Sequence, residues 1–275
     1  MTAEIYFFSG SGNSFVVARD LAEKLEAELI PAACLIGQDS ISTDADIIGF
    51  VFPIYDFKPP GLMTELVKGF ENLDSKYVFA VCTYGIAPLK AITVFDESVR
   101  ANGGILSAGF AVKMPHNGLG SSSFSQAQHE IMFEDWKTRL EEISEYINSG
   151  KEGTLETSNV FSSLMFSGVL VRRIPFLVKL AKQVMVKGWD SLALISNERC
   201  DGCGICKKVC PVDNIEIVDN KPSWSDHSVG CFACYHWCPK DAIQFGHTNM
   251  NTRQYHHPEA KMTDIMKQKA VSKPV

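Results

Sequence analysis

Apolar runs alternate with amphipathic stretches along the first 150 residues of the chain. Five continuous apolar runs predict buried parallel strands, which carry apolar side chains on both faces. They cover residues 4–8, 29–33, 46–52, 77–83 and 104–113. Apolar positions at helical spacing predict helices at about 15–25, 60–70, 88–101 and 125–148. This β-α alternation predicts a doubly wound, five-stranded parallel α/β sheet, in which a ligand binds beyond the carboxyl ends of the strands.

Three loops follow strands at that edge, and the first has the composition of an anion site. It runs Ser9-Gly10-Ser11-Gly12-Asn13-Ser14 and leads into the first helix. Its backbone N–H groups and the helix N-terminus favour a negative group. It has neither the lysine of a triphosphate loop nor the G-x-G-x-x-G pattern of dinucleotide sites. The composition suits a monophosphate held by neutral donors; the alternative is a helix cap by Ser9 or Ser11.

The other two loops carry aromatic residues at equivalent positions. One holds Pro53, Ile54 and Tyr55, with Phe57 as an alternative aromatic residue, and the other holds Thr83, Tyr84 and Gly85. The S-G-S-G-N-S run after a first strand resembles the phosphate loop of flavodoxins, which bind FMN. The resemblance implies that residues 9–14 hold the phosphate of FMN and that the other two loops flank its isoalloxazine ring. The departure from the family is Ile86-Ala87-Pro88, where flavodoxins are often richer in glycine.

A second pattern, of cysteines, dominates the C-terminal part. Cys200, Cys203, Cys206 and Cys210 have the spacing C-x2-C-x2-C-x3-C-P, and Cys231, Cys234 and Cys238 have the spacing C-x2-C-x3-C-P. Three cysteines on a tight loop can bind three corners of a 4Fe–4S cubane, but the loop cannot reach the fourth. Residues 200–245 therefore resemble a dicluster bacterial ferredoxin, in which each motif completes the cluster of the other.

This resemblance implies the metal ligands. Cluster one takes Cys200, Cys203, Cys206 and Cys238, and cluster two takes Cys210, Cys231 and Cys234 with one further ligand. The family pattern has cysteine at position 228, where this chain has Ser228. The corner could be filled by Ser228, by Asp226 or His227, or by water, or the cluster could be 3Fe–4S. An empty second site is the remaining alternative.

The segment between these two parts is polar at 149–160 and then amphipathic and basic. Residues 161–188 predict two helices that meet near Pro175 and bridge the domains. The alternative is a helix that docks on a partner or a membrane surface. The predicted domains are 1–150 (flavodoxin-like, FMN-binding), 151–190 (helical linker), 191–247 (dicluster ferredoxin) and 248–275. The last is a polar tail, in which His256 and His257 are interpreted as a solvated pair.

Composition limits the classes of function and the location. The net charge is −6 and no domain is strongly basic, which argues against nucleic acid as a partner. Seven of the nine cysteines have metal-type spacing, which is typical of a reducing, cytoplasmic location. The sequence predicts neither a signal peptide nor a spanning helix.

Together the two halves resemble iron–sulfur flavoproteins with a C-terminal 4Fe–4S domain, found mostly in anaerobes. The resemblance implies an electron-transfer protein that passes electrons between two clusters and FMN, with redox proteins as partners. No catalytic residue is assigned. One alternative is a flavin-dependent reductase of a small organic substrate, with His116 and Asn117 facing it. A redox or iron sensor built around Ser228 is the other. The carrier is favoured, because no acid–base constellation lies near the flavin loops.

Overall fold

The N-terminal part forms a parallel sheet. The computed structural model describes residues 1–56, 58–85, 87–115, 126–158, 194–245 and 254–269. Within these, the first sheet has six strands: β1 (Ala3–Phe7), β2 (Glu28–Pro31), β3 (Ile47–Pro53), β4 (Tyr77–Tyr84), β5 (Leu106–Lys113) and β6 (Thr154–Leu155). The strand order β2-β1-β3-β4-β5-β6 is entirely parallel. It contains the 2-1-3-4-5 order of the flavodoxin-like fold, which confirms the predicted fold class.

The sheet has one strand more than the sequence predicts. The short strand β6 lies in the segment that the sequence assigns to the linker, and it pairs with Ala108 and Gly109 of β5. Glu156 extends this pairing, because its carboxylate accepts the N–H of Ala111 at 2.9 Å and forms an ion pair with Arg139. Two residues are too few to produce a periodic signal, so the sequence showed only a polar segment there.

Helices cover both faces of the sheet. Helices α1 (Asn13–Leu25) and α4 (Gln126–Asn148) pack on one face, and α2 (Gly61–Lys68) and α3 (Ala91–Ala101) pack on the other. The central strand β4 is buried from Val78 to Thr83, which explains its continuous apolar sequence. The ends of β1, β3 and β4 therefore meet at one edge, together with the N-terminus of α1.

The cysteine-rich part forms a small α+β unit. Strand β7 (Leu194–Ser196) is followed by helix α5 (Ile205–Lys208), hairpin strands β8 (Ile215–Val218) and β9 (Lys221–Trp224), helix α6 (Ala233–His236) and strand β10 (Ile243–Phe245). Strand β10 pairs antiparallel with β7, and β8 pairs antiparallel with β9. Its small core contains cysteines among apolar residues, including Ile215, Ile243 and Phe245.

The C-terminal segment is ordered against the rest of the protein. We call residues 254–269 the C-terminal strap; it contains the short helix α7 (Met262–Met266). Gln268 and His257 are each 1% exposed. The interpretation of this region as a polar arm with a solvated histidine pair was therefore wrong for His257, because no local sequence pattern indicates the surface that buries it.

Several predictions lie outside the described residues. These are the two bridging helices at 161–188, the aromatic alternative Phe57, the departure at Ile86, and the substrate-facing pair His116 and Asn117. Among the helices that the structure describes, none has the length and apolar character needed to cross a membrane.

Candidate iron–sulfur centres and the flavodoxin-like edge

One cavity in the cysteine-rich unit is lined by Cys200, Cys203, Cys206 and Cys238. These are the four ligands that the resemblance assigns to cluster one. The chain can turn here because Gly202 and Gly204 have positive φ angles of 75° and 72°. Cys206 is buried on helix α5, whereas Cys203 is exposed. The cavity is thus reachable from solvent at one corner.

A second cavity is lined by Cys210, Cys231 and Cys234 together with Ser228 and Trp224. Cys210 comes from the first cysteine motif and the other two cysteines come from the second. The two motifs therefore exchange one cysteine each between the cavities, as Cys238 lines the first one.

The residues near position 228 differ in how they face the second cavity. Ser228 lines it, and its hydroxyl accepts the N–H of Gly230 at 3.3 Å. The ring Nε2 of His227 lies 3.0 Å from the carbonyl oxygen of Val212, outside the lining. The carboxylate of Asp226 is fully exposed. Of these three residues, Ser228 is the one that lines the second cavity.

Burial and mutual proximity govern the protonation of the thiols. Burial raises the pKa of Cys206 to about 11, and the neighbouring charges of Cys203, Cys200 and Cys238 add to the rise. Burial likewise raises the pKa of Cys231 to about 12, with a further contribution from Cys210. Without metal these thiols are protonated at neutral pH, so iron is needed to stabilise the thiolates that ligate it.

The backbone donates to sulfur at equivalent places in the two motifs. The N–H of Asn214 donates to Sγ of Cys210 at 3.3 Å, and the N–H of Ala242 donates to Sγ of Cys238 at 3.4 Å. In each case the donor lies four residues after the cysteine, beyond a Cys-Pro pair. Hydrogen bonds to ligand sulfur stabilise negative charge and raise a cluster's reduction potential.

The arrangement of the cysteines differs from that of ligands around a single metal ion. Among the residues that the structure describes, no three histidine, cysteine or acidic side chains converge closely enough to hold one metal ion. Seven cysteines around two cavities instead suit a cubane, whose own iron and sulfide atoms separate its ligands.

The second cavity adjoins the edge of the flavodoxin-like sheet. A Cβ atom on Gly10 would overlap the carbonyl oxygen of Cys231, so only glycine allows this approach. The same Cβ would lie 3.1 Å from the hydroxyl of Tyr55. Trp237 fixes the contact, because its indole N–H donates to the carbonyl of Gly10 at 2.9 Å. The loop edge therefore faces the second cavity rather than the first.

The predicted phosphate loop is fully buried. All six residues, Ser9, Gly10, Ser11, Gly12, Asn13 and Ser14, are buried. The hydroxyl of Ser9 accepts the N–H of Gly12 at 3.0 Å, and the hydroxyls of Ser14 and Thr83 are 2.7 Å apart. The N-cap residue of α1 is Gly12 and no side chain caps the helix, so Ser9 holds the loop without capping α1. Gly12 has a φ of 98° that favours glycine.

The other predicted cofactor residues lie around this loop. The N–H of Ile54 donates to the carbonyl of Thr83 at 3.0 Å, which joins the second and third loops. Pro53, Ile54, Tyr55, Tyr84 and Gly85 are partly exposed. The ring of Tyr55 packs edge-on against Phe8. The sequence therefore brings the three predicted loops to one edge.

The C-terminal strap covers that edge, which the sequence did not predict. The side-chain amide of Gln268 accepts the N–H of Ser9 at 2.8 Å and donates to the carbonyl of Ser9 at 3.0 Å. The N–H of His257 donates to the carbonyl of Ser11 at 2.9 Å, and the hydroxyl of Tyr255 donates to Oδ1 of Asn13 at 2.7 Å. No local sequence signal marks these residues as partners of a loop more than 240 positions away.

Two N–H donors of the covered loop and the space beside Gly12 are already occupied in this arrangement. The N–H groups of Ser9 and Gly12 already donate to Gln268 and Ser9, respectively. The space beside Gly12 is filled, since a Cβ there would lie 2.6 Å from Cβ of Ala260. A phosphate needs free N–H donors and room at the helix N-terminus. The closed loop provides neither at these positions.

Comparison with known proteins finds similarities in both parts of the chain. Residues 193–216 match the family model described as a 4Fe-4S binding domain. Three solved structures are similar to this chain: a flavodoxin of Streptococcus pneumoniae (21% identity, 55% of this chain and 99% of that one, TM-score 0.37), the rubredoxin oxygen:oxidoreductase of Desulfovibrio gigas (18%, 54% and 36%, 0.35), and the flavodoxin of Megasphaera elsdenii (18%, 42% and 90%, 0.31). No curated protein matches this chain.

These structural scores are too low to bring a ligand or an activity to this chain. The fold assignment rests on the strand order, and the cluster assignment rests on the cysteine spacing and the matching domain. The chain therefore combines a flavodoxin-like domain with a 4Fe–4S domain. A 4Fe–4S domain makes electron transfer the class of function and implies redox partners.

Proposed function

We propose that this chain is an electron-transfer protein in which electrons pass between two iron–sulfur clusters and reach the edge of the flavodoxin-like domain. The observation that carries the proposal is the pair of cysteine-lined cavities that share ligands between motifs. Cluster one would use Cys200, Cys203, Cys206 and Cys238, and cluster two would use Cys210, Cys231, Cys234 and Ser228.

The two cavities adjoin one small core. Cys206 of the first cavity belongs to the same buried cluster as Cys210 and Cys234 of the second. Electrons would thus move between neighbouring clusters without leaving the unit.

The exposure of residues at the two cavities suggests a direction for electron transfer. Cys203 is exposed at the first cavity, whereas Cys231 faces the loop edge at the second. A redox partner protein would exchange electrons with cluster one, and cluster two would connect to the flavodoxin-like domain.

We propose FMN as the cofactor of this edge. It would bind when the C-terminal strap does not cover the loop. Its residues would be Ser9–Ser14, with Pro53, Ile54, Tyr55, Thr83, Tyr84 and Gly85 around the ring. A flavin supplies conversion between one- and two-electron steps. In the closed arrangement the loop is filled by the protein itself, so we assign no step to the flavin.

Ser228→Cys tests the ligand assignment. The protein is purified without oxygen, its iron and sulfide are quantified, and the reduced clusters are followed by EPR. A thiolate in place of the hydroxyl should change the spectrum and lower the potential of one cluster, while the signal of the other is unchanged.

Ser223→Cys is the matched control, because Ser223 is exposed on β9 in the same unit and lines neither cavity. It should leave both signals as in the wild type. If Ser228→Cys alters both clusters equally, or if the purified protein contains iron for one cluster only, the two-cluster assignment is wrong.

A further inference from the structure

The C-terminal strap holds the predicted phosphate loop through a set of specific contacts. The primary amide of Gln268 pairs with both backbone groups of Ser9, the way a neighbouring strand would. This side chain is 1% exposed, so the two hydrogen bonds are shielded from water. A buried glutamine that pairs with a backbone N–H and C=O together makes a specific contact. Leaving either buried backbone group unpaired would cost free energy of folding.

Two further strap residues bind the same loop. Tyr255 donates its hydroxyl to Asn13, whose own amide donates to the carbonyl of Pro115 at 3.0 Å. Ala260 fills the space over Gly12, where no side chain projects from the loop. The strap therefore occupies the N–H donor of Ser9 and the open space beside Gly12, both of which an anion at this loop would use.

The strap is also tied to both domains around the loop. Glu259 forms ion pairs with Arg19 of α1 at 2.8 Å and with Lys137 of α4 at 2.9 Å. Lys269 forms an ion pair with Asp213, close to the second cavity. The ring of His256 stacks on Trp237, with 4.5 Å between ring centroids and 17° between planes. The strap is thus held by contacts with the ferredoxin-like unit as well as with the flavodoxin-like domain.

We propose that the C-terminal strap is an intramolecular occupant of the phosphate loop, and that its docking and the binding of FMN phosphate exclude each other. The strap holds the edge closed, and its release exposes the loop to the flavin. The proposal rests on the FMN assignment made under the proposed function, but it does not depend on the number of clusters.

An FMN titration of the full-length, cluster-loaded protein tests whether strap docking and FMN binding exclude each other. We compare the wild type with Gln268→Ala combined with Tyr255→Phe, and follow flavin fluorescence under anaerobic conditions. The double variant should bind FMN at least about tenfold more tightly, because it loses several buried hydrogen bonds of the closed form. Lys267→Ala is the control, since Lys267 is exposed beside Gln268 and should leave the affinity unchanged.

Hydrogen exchange provides a second measurement that does not rely on flavin affinity alone. FMN should increase the exchange of amides in residues 254–269 of the wild type, and the double variant should show this increase without FMN. Iron and sulfide content, measured on the same samples, reports the cluster assignment separately.

Two results would overturn the exclusion. One is equal FMN affinity in the wild type and the double variant with no change in strap exchange. The other is a double variant whose strap exchanges rapidly but which still does not bind FMN, and this result contradicts the FMN assignment as well. Equal FMN binding contradicts the exclusion alone, and a lack of iron in the wild type contradicts the cluster assignment alone, so the failures are distinguishable.

Discussion

At the scale of single residues, Trp224 lines the cavity of the proposed second cluster. Its indole N–H is buried, has no hydrogen-bond partner of good geometry among the described residues, and lies beside Cys234. Burial raises the pKa of Cys234, while the indole N–H opposes the rise because it favours the thiolate. A donor aimed at ligand sulfur stabilises the more negative, reduced cluster.

Trp224→Phe should therefore lower the potential of the second cluster. A hydrogen bond to a charged group is worth about 1.5–3 kcal/mol, and the part that differs between redox states corresponds to some tens of millivolts. An EPR-monitored redox titration measures the shift, with the first cluster as internal control. An unchanged potential at the second cluster would show that this N–H does not act on Cys234.

Individual residues also show what the sequence could and could not reveal. The cysteine spacing and the Ser/Gly loop are local patterns, and the structure brings their members together at two cavities and one edge. Gln268 and Trp237 were missed as loop contacts. Each contacts a backbone group more than 220 positions away, and a single polar or aromatic residue does not indicate such a partner.

At the scale of elements, apolar runs predicted the five longer strands of the sheet and its four longer helices to within a few residues. Buried parallel strands are continuous apolar runs, so β3 and β4 were evident from the sequence. Strand β6 and the strap helix α7 were not, because two and five residues carry almost no periodicity. The stability of such short elements comes from tertiary contacts, which composition does not report.

The strap gives the fold a dependence on pH through His257. Burial lowers the pKa of this imidazole to about 4 from its usual value of 6.5. The nearby charges of Arg19, Lys137 and His256 lower it further, and Glu259 opposes them. The unfolded or released strap therefore binds a proton between these values that the docked strap does not.

We expect the docked strap to be fully stable above about pH 6.5 and to lose stability as the pH falls toward 4, by about 1.4 kcal/mol per pH unit at most. His257→Gln keeps an acceptor for the N–H of Glu259 but cannot titrate. Hydrogen exchange of residues 254–269 between pH 7.5 and pH 5.5 should show this loss in the wild type and not in the variant. Identical profiles would exclude His257 as its origin.

At the scale of the whole molecule, the two domains are held together at the loop edge by a few buried contacts. Trp237 forms the hydrogen bond to Gly10 from the face of the ferredoxin-like unit. Replacing it by Phe leaves the carbonyl of Gly10 without this donor, which costs about 1–3 kcal/mol for a buried acceptor.

Trp237→Phe should therefore weaken the docking of the ferredoxin-like unit and accelerate hydrogen exchange in residues 1–15. Trp224→Phe is the matched control, because it removes a tryptophan of the same unit that lines the second cavity and does not contact Gly10. It should change the potential of the cluster but not the exchange of residues 1–15. Equal exchange in the two variants would contradict a special role for Trp237 at the interface.

The approach of Gly10 to Cys231 also has a consequence for biogenesis. The domain contact encloses the carbonyl group of Cys231, whereas Ser228 on the lining of the same cavity is exposed. The proposed second cluster can therefore be assembled only from the side of Ser228 once the domains have closed. We expect a delivery protein that hands over iron and sulfide to approach the folded chain from that side.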